Sequence, residues 1–143
     1  NNNGFVRIYE RNPLTAFGWN QLGQDLNGAA AGDRFGTSVA LSSDGSALAI
    51  AGVHTQVYQR NDTSPLGWIQ IGDDVDGEAS YDYSGLSVAL SANGHVLAVV
   101  APFNDNDNGV DAGHVRVCEN VSLIHFTFLF VISYPYHFPR FIH

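Results

Sequence analysis

Residues 19–52, WNQLGQDLNGAAAGDRFGTSVALSSDGSALAIAG, and residues 68–101, WIQIGDDVDGEASYDYSGLSVALSANGHVLAVVA, align at a constant offset of 49 without a gap. They share 16 of 34 positions, among them Trp19/Trp68, Asp25/Asp74, Gly28/Gly77, Gly36/Gly85 and the run Ser-Val-Ala-Leu-Ser. Chance would leave only a few matches, so any fold for this chain must use one structural unit more than once. A further element recurs: Val6-Arg7-Ile8-Tyr9-Glu10 matches Gln56-Val57-Tyr58-Gln59 and then Val115-Arg116-Val117-Cys118-Glu119. Tyr9 and Tyr58 are 49 residues apart, whereas Tyr58 and Cys118 are 60 apart. The 11 additional residues fall in Phe103–Gly113, rich in Asn, Asp and Gly, which marks a loop insertion.

Each unit contains four strand candidates. Val6 and Ile8 alternate with Arg7 and Tyr9, as in a half-buried strand, and Trp19–Gly23 is a short strand headed by an aromatic. Ser38–Ser42 leads through Ser43-Asp44-Gly45 into Ala47–Ala51, and Ser87–Ser91 leads through Ala92-Asn93-Gly94 into Val96–Ala101. Asp-Gly and Asn-Gly suit tight hairpins of type I′, which require positive φ. No window carries a 3.6-residue apolar period. The chain is predicted to be all-β.

Four antiparallel strands every 49–60 residues are the pattern expected of β-propeller blades. An isolated blade leaves an apolar face uncovered, so neighbouring blades must supply the core. The small run Ser-Val-Ala-Leu suits a crowded inner strand, and the Trp-led strand suits the wider outer edge. The expectation is a partial β-propeller of about two blades, each a four-stranded antiparallel sheet. Residues 1–119 would form them, with repeat units at about 4–52 and 55–101 and a third begun at 114–119.

At Phe35-Gly36 and Val100-Ala101-Pro102 the pattern resembles the FG-GAP repeat of integrin-alpha-like propellers, as a divergent subgroup. The resemblance covers about residues 4–119. The first unit has Phe35-Gly36 but ends Ala51-Gly52-Val53, and the second has Ser84-Gly85 but ends Val100-Ala101-Pro102. It implies an inner strand at 36–42, a second at 46–52, a third at 55–60 and an outer strand at 68–72. It also implies an extracellular adhesion or ligand-recognition role.

Composition divides the chain. Residues 1–119 hold all 15 Gly, all 14 acids and five Arg, a balance of 5 − 14 = −9. Residues 120–143 hold no Gly, no acid and seven aromatics. This aromatic tail is expected to stand outside the repeat, as an unrelated terminal translation. Two other readings are a strand packing on the body, because Phe126, Phe128 and Phe130 alternate, and a truncated anchor. The apolar run Val121–Ser133 falls short of the roughly 20 residues a bilayer span needs, and 1–119 is not expected to insert. The opening Asn1-Asn2-Asn3-Gly4 and the lack of Met suggest a piece of something longer. The formal charge of −8 argues against nucleic acid as a partner. A single Cys excludes an intramolecular disulfide.

The sharpest candidate site is Asn104-Asp105-Asn106-Asp107-Asn108-Gly109-Val110-Asp111. Calcium takes several oxygen ligands from a tight loop, and the resemblance implies such a loop with ligands at positions 1, 3, 5 and 9. Counting from Asn104 supplies Asn104, Asn106 and Asn108, but Ala112 stands ninth and Asp111 one place early; Asp105 and Asp107 are alternative ligands. The competing reading is a solvated hairpin loop. A second acidic stretch, Asp73-Asp74-Val75-Asp76-Gly77-Glu78 with Asp82, would line one propeller face. It suits a cation or cationic partner, or else a repeated turn in which Asp and Asn accept backbone N–H groups.

Catalysis finds little support. Cys118 takes the strand position of Tyr9 and Tyr58, and His54, His95 and His114 stand at loop or strand edges without metal-ligand spacing. Ser38 and Ser87 have no neighbouring acid–base pair, and the Ser-x-Asp-x-Gly-x-x-Trp box of sialidase-like propellers is absent. Trp19 and Trp68 recur at equivalent positions, which favours packing over sugar stacking. Sequons at Asn61-Asp62-Thr63 and Asn120-Val121-Ser122 lean toward secretion. The chain is therefore expected to be a non-catalytic, extracellular or cell-surface binding module for a protein or glycan. Propeller-face loops would recognise that ligand, with Ca2+ assisting and further blades from the missing chain. The alternatives are a propeller domain of a larger extracellular enzyme, or a non-functional fragment.

Overall fold

The computed structural model describes residues 2–107, 109–119 and the strand Leu129–Ile132. Among them there is no helix, and so none long and apolar enough to cross a membrane. The chain is all-β, built from antiparallel sheets.

The first is a two-stranded ribbon in two parts. β1 (Phe5–Val6) pairs with β4 (Leu26–Asn27), and β2 (Tyr9–Arg11) pairs with β3 (Trp19–Gln21). The N–H of Leu22 donates to the Ile8 carbonyl across the gap, at 2.9 Å. The second sheet has four strands in sequence order: β5 (Ser38–Leu41), β6 (Ala47–Ala51), β7 (His54–Arg60) and β8 (Trp68–Asp76). The third repeats this order with β9 (Ser87–Leu90), β10 (Val96–Ala101), β11 (His114–Glu119) and β12 (Leu129–Ile132). β12 takes the edge position beside β11 that β8 takes beside β7. The rest of 120–143, including the Asn120 sequon and Phe126 and Phe128, lies outside the described residues.

The middle sheet is covered on both faces, which explains why β6 is buried throughout. Successive strand residues point to opposite faces. Leu48 and Ile50 join Leu26, Phe35, Tyr58 and Trp68, with Val6, Ile8 and Leu22 of the first ribbon against them. Ala49 and Ala51 turn the other way and join Val57, Val88, Leu97 and Val99, where β9 and β10 close over β5 and β6. Burying each large aliphatic side chain contributes roughly 1.5–3 kcal/mol. Small alanines let the next sheet approach closely, and polar bonds also cross: Val88 N–H donates to Ser38 Oγ at 3.1 Å and Ser43 Oγ donates to the Ala92 carbonyl at 3.0 Å.

Repeat-equivalent residues differ in exposure according to what lies beside them. Trp68 is 1% exposed and Tyr58 9%, because the first ribbon covers them; Trp19 and Tyr9 are 56% and 51% exposed. The packing reading of the tryptophans therefore holds for Trp68, whereas Trp19 stands on an uncovered face.

The hairpins are not of type I′. Only Gly45 (φ 70°) and Gly94 (φ 74°) carry positive φ, and Asp44 and Asn93 do not. Instead the Gly45 N–H closes on the Ser42 carbonyl at 3.0 Å, and Ser42 Oγ accepts the Ala47 N–H at 2.9 Å. Asp44 Oδ1 accepts from Ser42 Oγ and the Ser46 N–H, and Asn93 Oδ1 does the same for Ser91 Oγ and the His95 N–H. The side-chain oxygens cap a four-residue loop, which removes the need for a second left-handed residue. Gly36 (φ 93°) and Gly85 (φ 86°) recur for another reason: a Cβ at Gly85 would lie 3.0 Å from Ala51 Cβ and 3.1 Å from the Gly52 carbonyl oxygen.

Candidate functional site

At one end of the middle sheet, where β5 and β7 begin and β6 and β8 end, loops from two successive repeats meet. They enclose an open cleft of about 620 Å³. Arg34, Val53 and His54 line it from the first repeat, and Glu78, Tyr81 and Tyr83 from the loop joining β8 to β9. Both loops are shaped by the same device. Asp33 Oδ2 accepts the Ala30 N–H at 2.7 Å, and Asp82 Oδ2 accepts the Ala79 N–H at 2.9 Å, 49 residues on. The residue after each acid, Arg34 or Tyr83, is left-handed at φ 52°. Such a conformation costs a non-glycine side chain on the order of 1 kcal/mol, and both residues line the cleft. Arg34 forms no ion pair among the described residues. Tyr83 packs edge-on against Phe103, with centroids 5.5 Å apart, and Tyr81 is exposed.

A buried polar network stiffens the floor behind Glu78. Asn104, 2% exposed, donates through Nδ2 to Asp82 Oδ2 at 2.8 Å and Glu78 Oε2 at 3.0 Å. Arg116 donates to Glu78 Oε1 at 3.0 Å and to the Asp76 carbonyl. The Asn104 amide, with the charges of His114 and Arg116, holds Glu78 below the usual carboxylate range.

The Asn104–Asp111 loop is thus tied into this floor at its first residue. Farther along, Asn106 Nδ2 donates to the Gly113 carbonyl at 3.0 Å, and Asp105 Oδ1 accepts the Asp111 N–H at 2.9 Å. Asp107 is exposed and Asn108 lies outside the described residues. Among the described residues, Asp105, Asp107 and Asp111 form no three-membered cluster of His, Cys, Asp or Glu.

The second acidic stretch is not a turn. It is the end of β8, so Asp74 and Asp76, two residues apart, share a face. Asp74 accepts side-chain amides from Gln56 across the strands at 3.0 Å and from Gln70 of its own strand at 2.7 Å. Asp25, its counterpart, accepts Arg7 Nε and Nη2, both at 2.7 Å, which holds its carboxyl below the usual range. The recurrence of Asp25 and Asp74 therefore reflects cross-strand side-chain pairing rather than backbone turns. The turn role falls instead to Asp33 and Asp82.

His54 sits directly opposite Asp76 in the β7–β8 register. Its Nδ1 lies 2.6 Å from Asp76 Oδ1, and His54, Asp74 and Asp76 each offer a ligand atom within 4.8 Å of the others. Sequence reasoning treated His54 as an isolated edge residue; only the strand register brings it to two acids 20 and 22 residues later. Cys118 is half-buried against the second core cluster and burial pushes its thiol up, as expected of a packing residue. Set against models of known protein families the chain matches none, and a search of curated proteins finds no match either.

Proposed function

We infer that this chain is part of an FG-GAP-like β-propeller, its four-stranded sheets the blades, and that it works as a non-catalytic binding module outside the cell. The observation that carries the reading is the cleft built jointly by two successive repeats. Two features of that cleft favour recognition over chemistry. Arg34 offers a cation with no protein partner among the described residues, and Tyr81 and Tyr83 offer amphipathic rings suited to peptide or glycan surfaces. Glu78 is engaged by Asn104 and Arg116, so it is a fixed acceptor and not a poised acid. Stacked sheets supply rigidity, and loops at one end supply specificity. Calcium in the Asn104–Asp111 loop would brace the cleft from behind. The Asn61 sequon, whose Oδ1 accepts the Thr63 N–H at 2.9 Å, stands in an exposed loop accessible to a glycan.

The test is to screen the chain against immobilised glycans and extracellular-matrix proteins, then repeat any positive with Arg34→Ala and Tyr81→Ala. The reading expects a saturable ligand whose binding falls about tenfold or more in each variant, the loss of a cleft anchor. It fails if no glycan or matrix protein binds, or if binding is indifferent to both substitutions.

A further inference from the structure

We propose that His54, Asp74 and Asp76 bind a divalent first-row transition ion of the zinc class. The three side chains stand on two paired strands, β7 and β8, with their ligand atoms within 4.8 Å of one another. An ion held at roughly 2.0–2.2 Å from each donor separates neighbouring donors by about 3–3.5 Å. Donor atoms within 4.8 Å of one another already stand near that spacing. One imidazole with two carboxylates is a donor set for zinc, manganese or cobalt; calcium takes oxygen alone. All three residues are exposed, so water completes the shell, and His54 and Asp76 also line the cleft.

The preceding repeat acts as an internal control. The counterparts of His54, Gln56, Asp74 and Asp76 are Phe5, Arg7, Asp25 and Asn27, each 49 residues earlier. There one guanidinium closes on one carboxylate, a local formal charge of 1 − 1 = 0. In the second repeat the arginine has become Gln56, Asn has become Asp76 and Phe has become His54. The same spot, counting His as neutral, carries 0 − 2 = −2. Three changes at one place thus remove a resident cation and add two ligands. In the third repeat the arginine returns as Arg116, but it bonds to Glu78 and the Asp76 main-chain carbonyl, not to the Asp74 or Asp76 carboxylates.

The experiment is calorimetric titration of the chelator-treated chain with Zn2+, together with Co2+ absorption and ring-proton NMR of His54. One zinc per chain should bind, with perturbed His54 resonances, and affinity should fall about tenfold or more in His54→Ala and in Asp76→Asn. Gln56→Arg, which recreates the Arg7–Asp25 pair, should weaken zinc comparably while circular dichroism remains native. His95→Ala and His114→Ala should leave it unchanged. Absence of saturable zinc binding overturns the proposal. So does binding that leaves the His54 ring unperturbed, or that survives both His54→Ala and Asp76→Asn.

Discussion

Replacing Leu97 by alanine probes the contact between successive repeats. Leu97 is fully buried on β10 and packs toward Ala49, Ala51 and Val57 of the middle sheet. Leu→Ala removes about three methylene equivalents at ~0.8 kcal/mol each, or ~2.4 kcal/mol of transfer free energy. A cavity term adds to this, since the alanines opposite carry only a methyl that cannot swing in to fill the void; losses in such series run from about 2.7 to 5.0 kcal/mol. We expect a loss of about 3–4 kcal/mol. With a urea m-value of about 2 kcal/mol/M, the midpoint should fall by about 1.5–2 M. Leu48→Ala, at the equivalent position on β6 and buried in the other cluster, should cost a similar amount. Leu14→Ala, almost fully exposed, should stay within about 0.5 kcal/mol of the parent. A Leu97→Ala loss below about 1 kcal/mol, measured by urea unfolding, would refute the sheet-to-sheet packing.

Gly85→Ala should destabilise more than Gly45→Ala. Both impose a left-handed alanine, at about 1 kcal/mol, but only the Gly85 Cβ meets its neighbours, at 3.0–3.1 Å; equal melting temperatures would contradict the close approach. The Asp44 carboxyl is lowered to about 2, chiefly by the Ser42 hydroxyl and then by Ser46. Its folded-state pKa lies below the unfolded one, so its stabilising effect is complete above pH ~4 and disappears as pH falls toward 2. Carboxyl NMR should show this low midpoint, and Asp44→Asn should flatten the acid limb of the stability curve; an unshifted midpoint would refute the loop geometry.

The all-β class was legible because duplication and two-residue alternation are signals the sequence carries openly, and the strands at Ser38–Leu41 and Ala47–Ala51 fall where patterning puts them. The length of β8 was not. Asp73, Asp74 and Asp76 carry weak strand propensity, and the cross-strand partners Gln56 and His54 hold Asp74 and Asp76 in the sheet. The cleft was half visible: its acids stood out, but Arg34 and Tyr83 became recognisable only through their shared left-handed backbone. Asn104 read as a loop ligand, and its burial against Glu78 and Asp82 depends on chain segments 22 and 26 residues away. Long-range pairing of this kind leaves no local trace in a single sequence.

The central claim is that successive repeats stack sheet on sheet, so that the first ribbon buries Trp68 while Trp19 is left open. Tryptophan fluorescence and acrylamide quenching of Trp19→Phe and Trp68→Phe measure this most directly. Trp68, alone in Trp19→Phe, should emit at short wavelength and resist quenching until urea unfolds the chain. Trp19, alone in Trp68→Phe, should emit as a solvated indole and quench freely while the fold is intact. Indistinguishable emission and quenching in the two folded variants would contradict the stacking, and with it the two-repeat cleft.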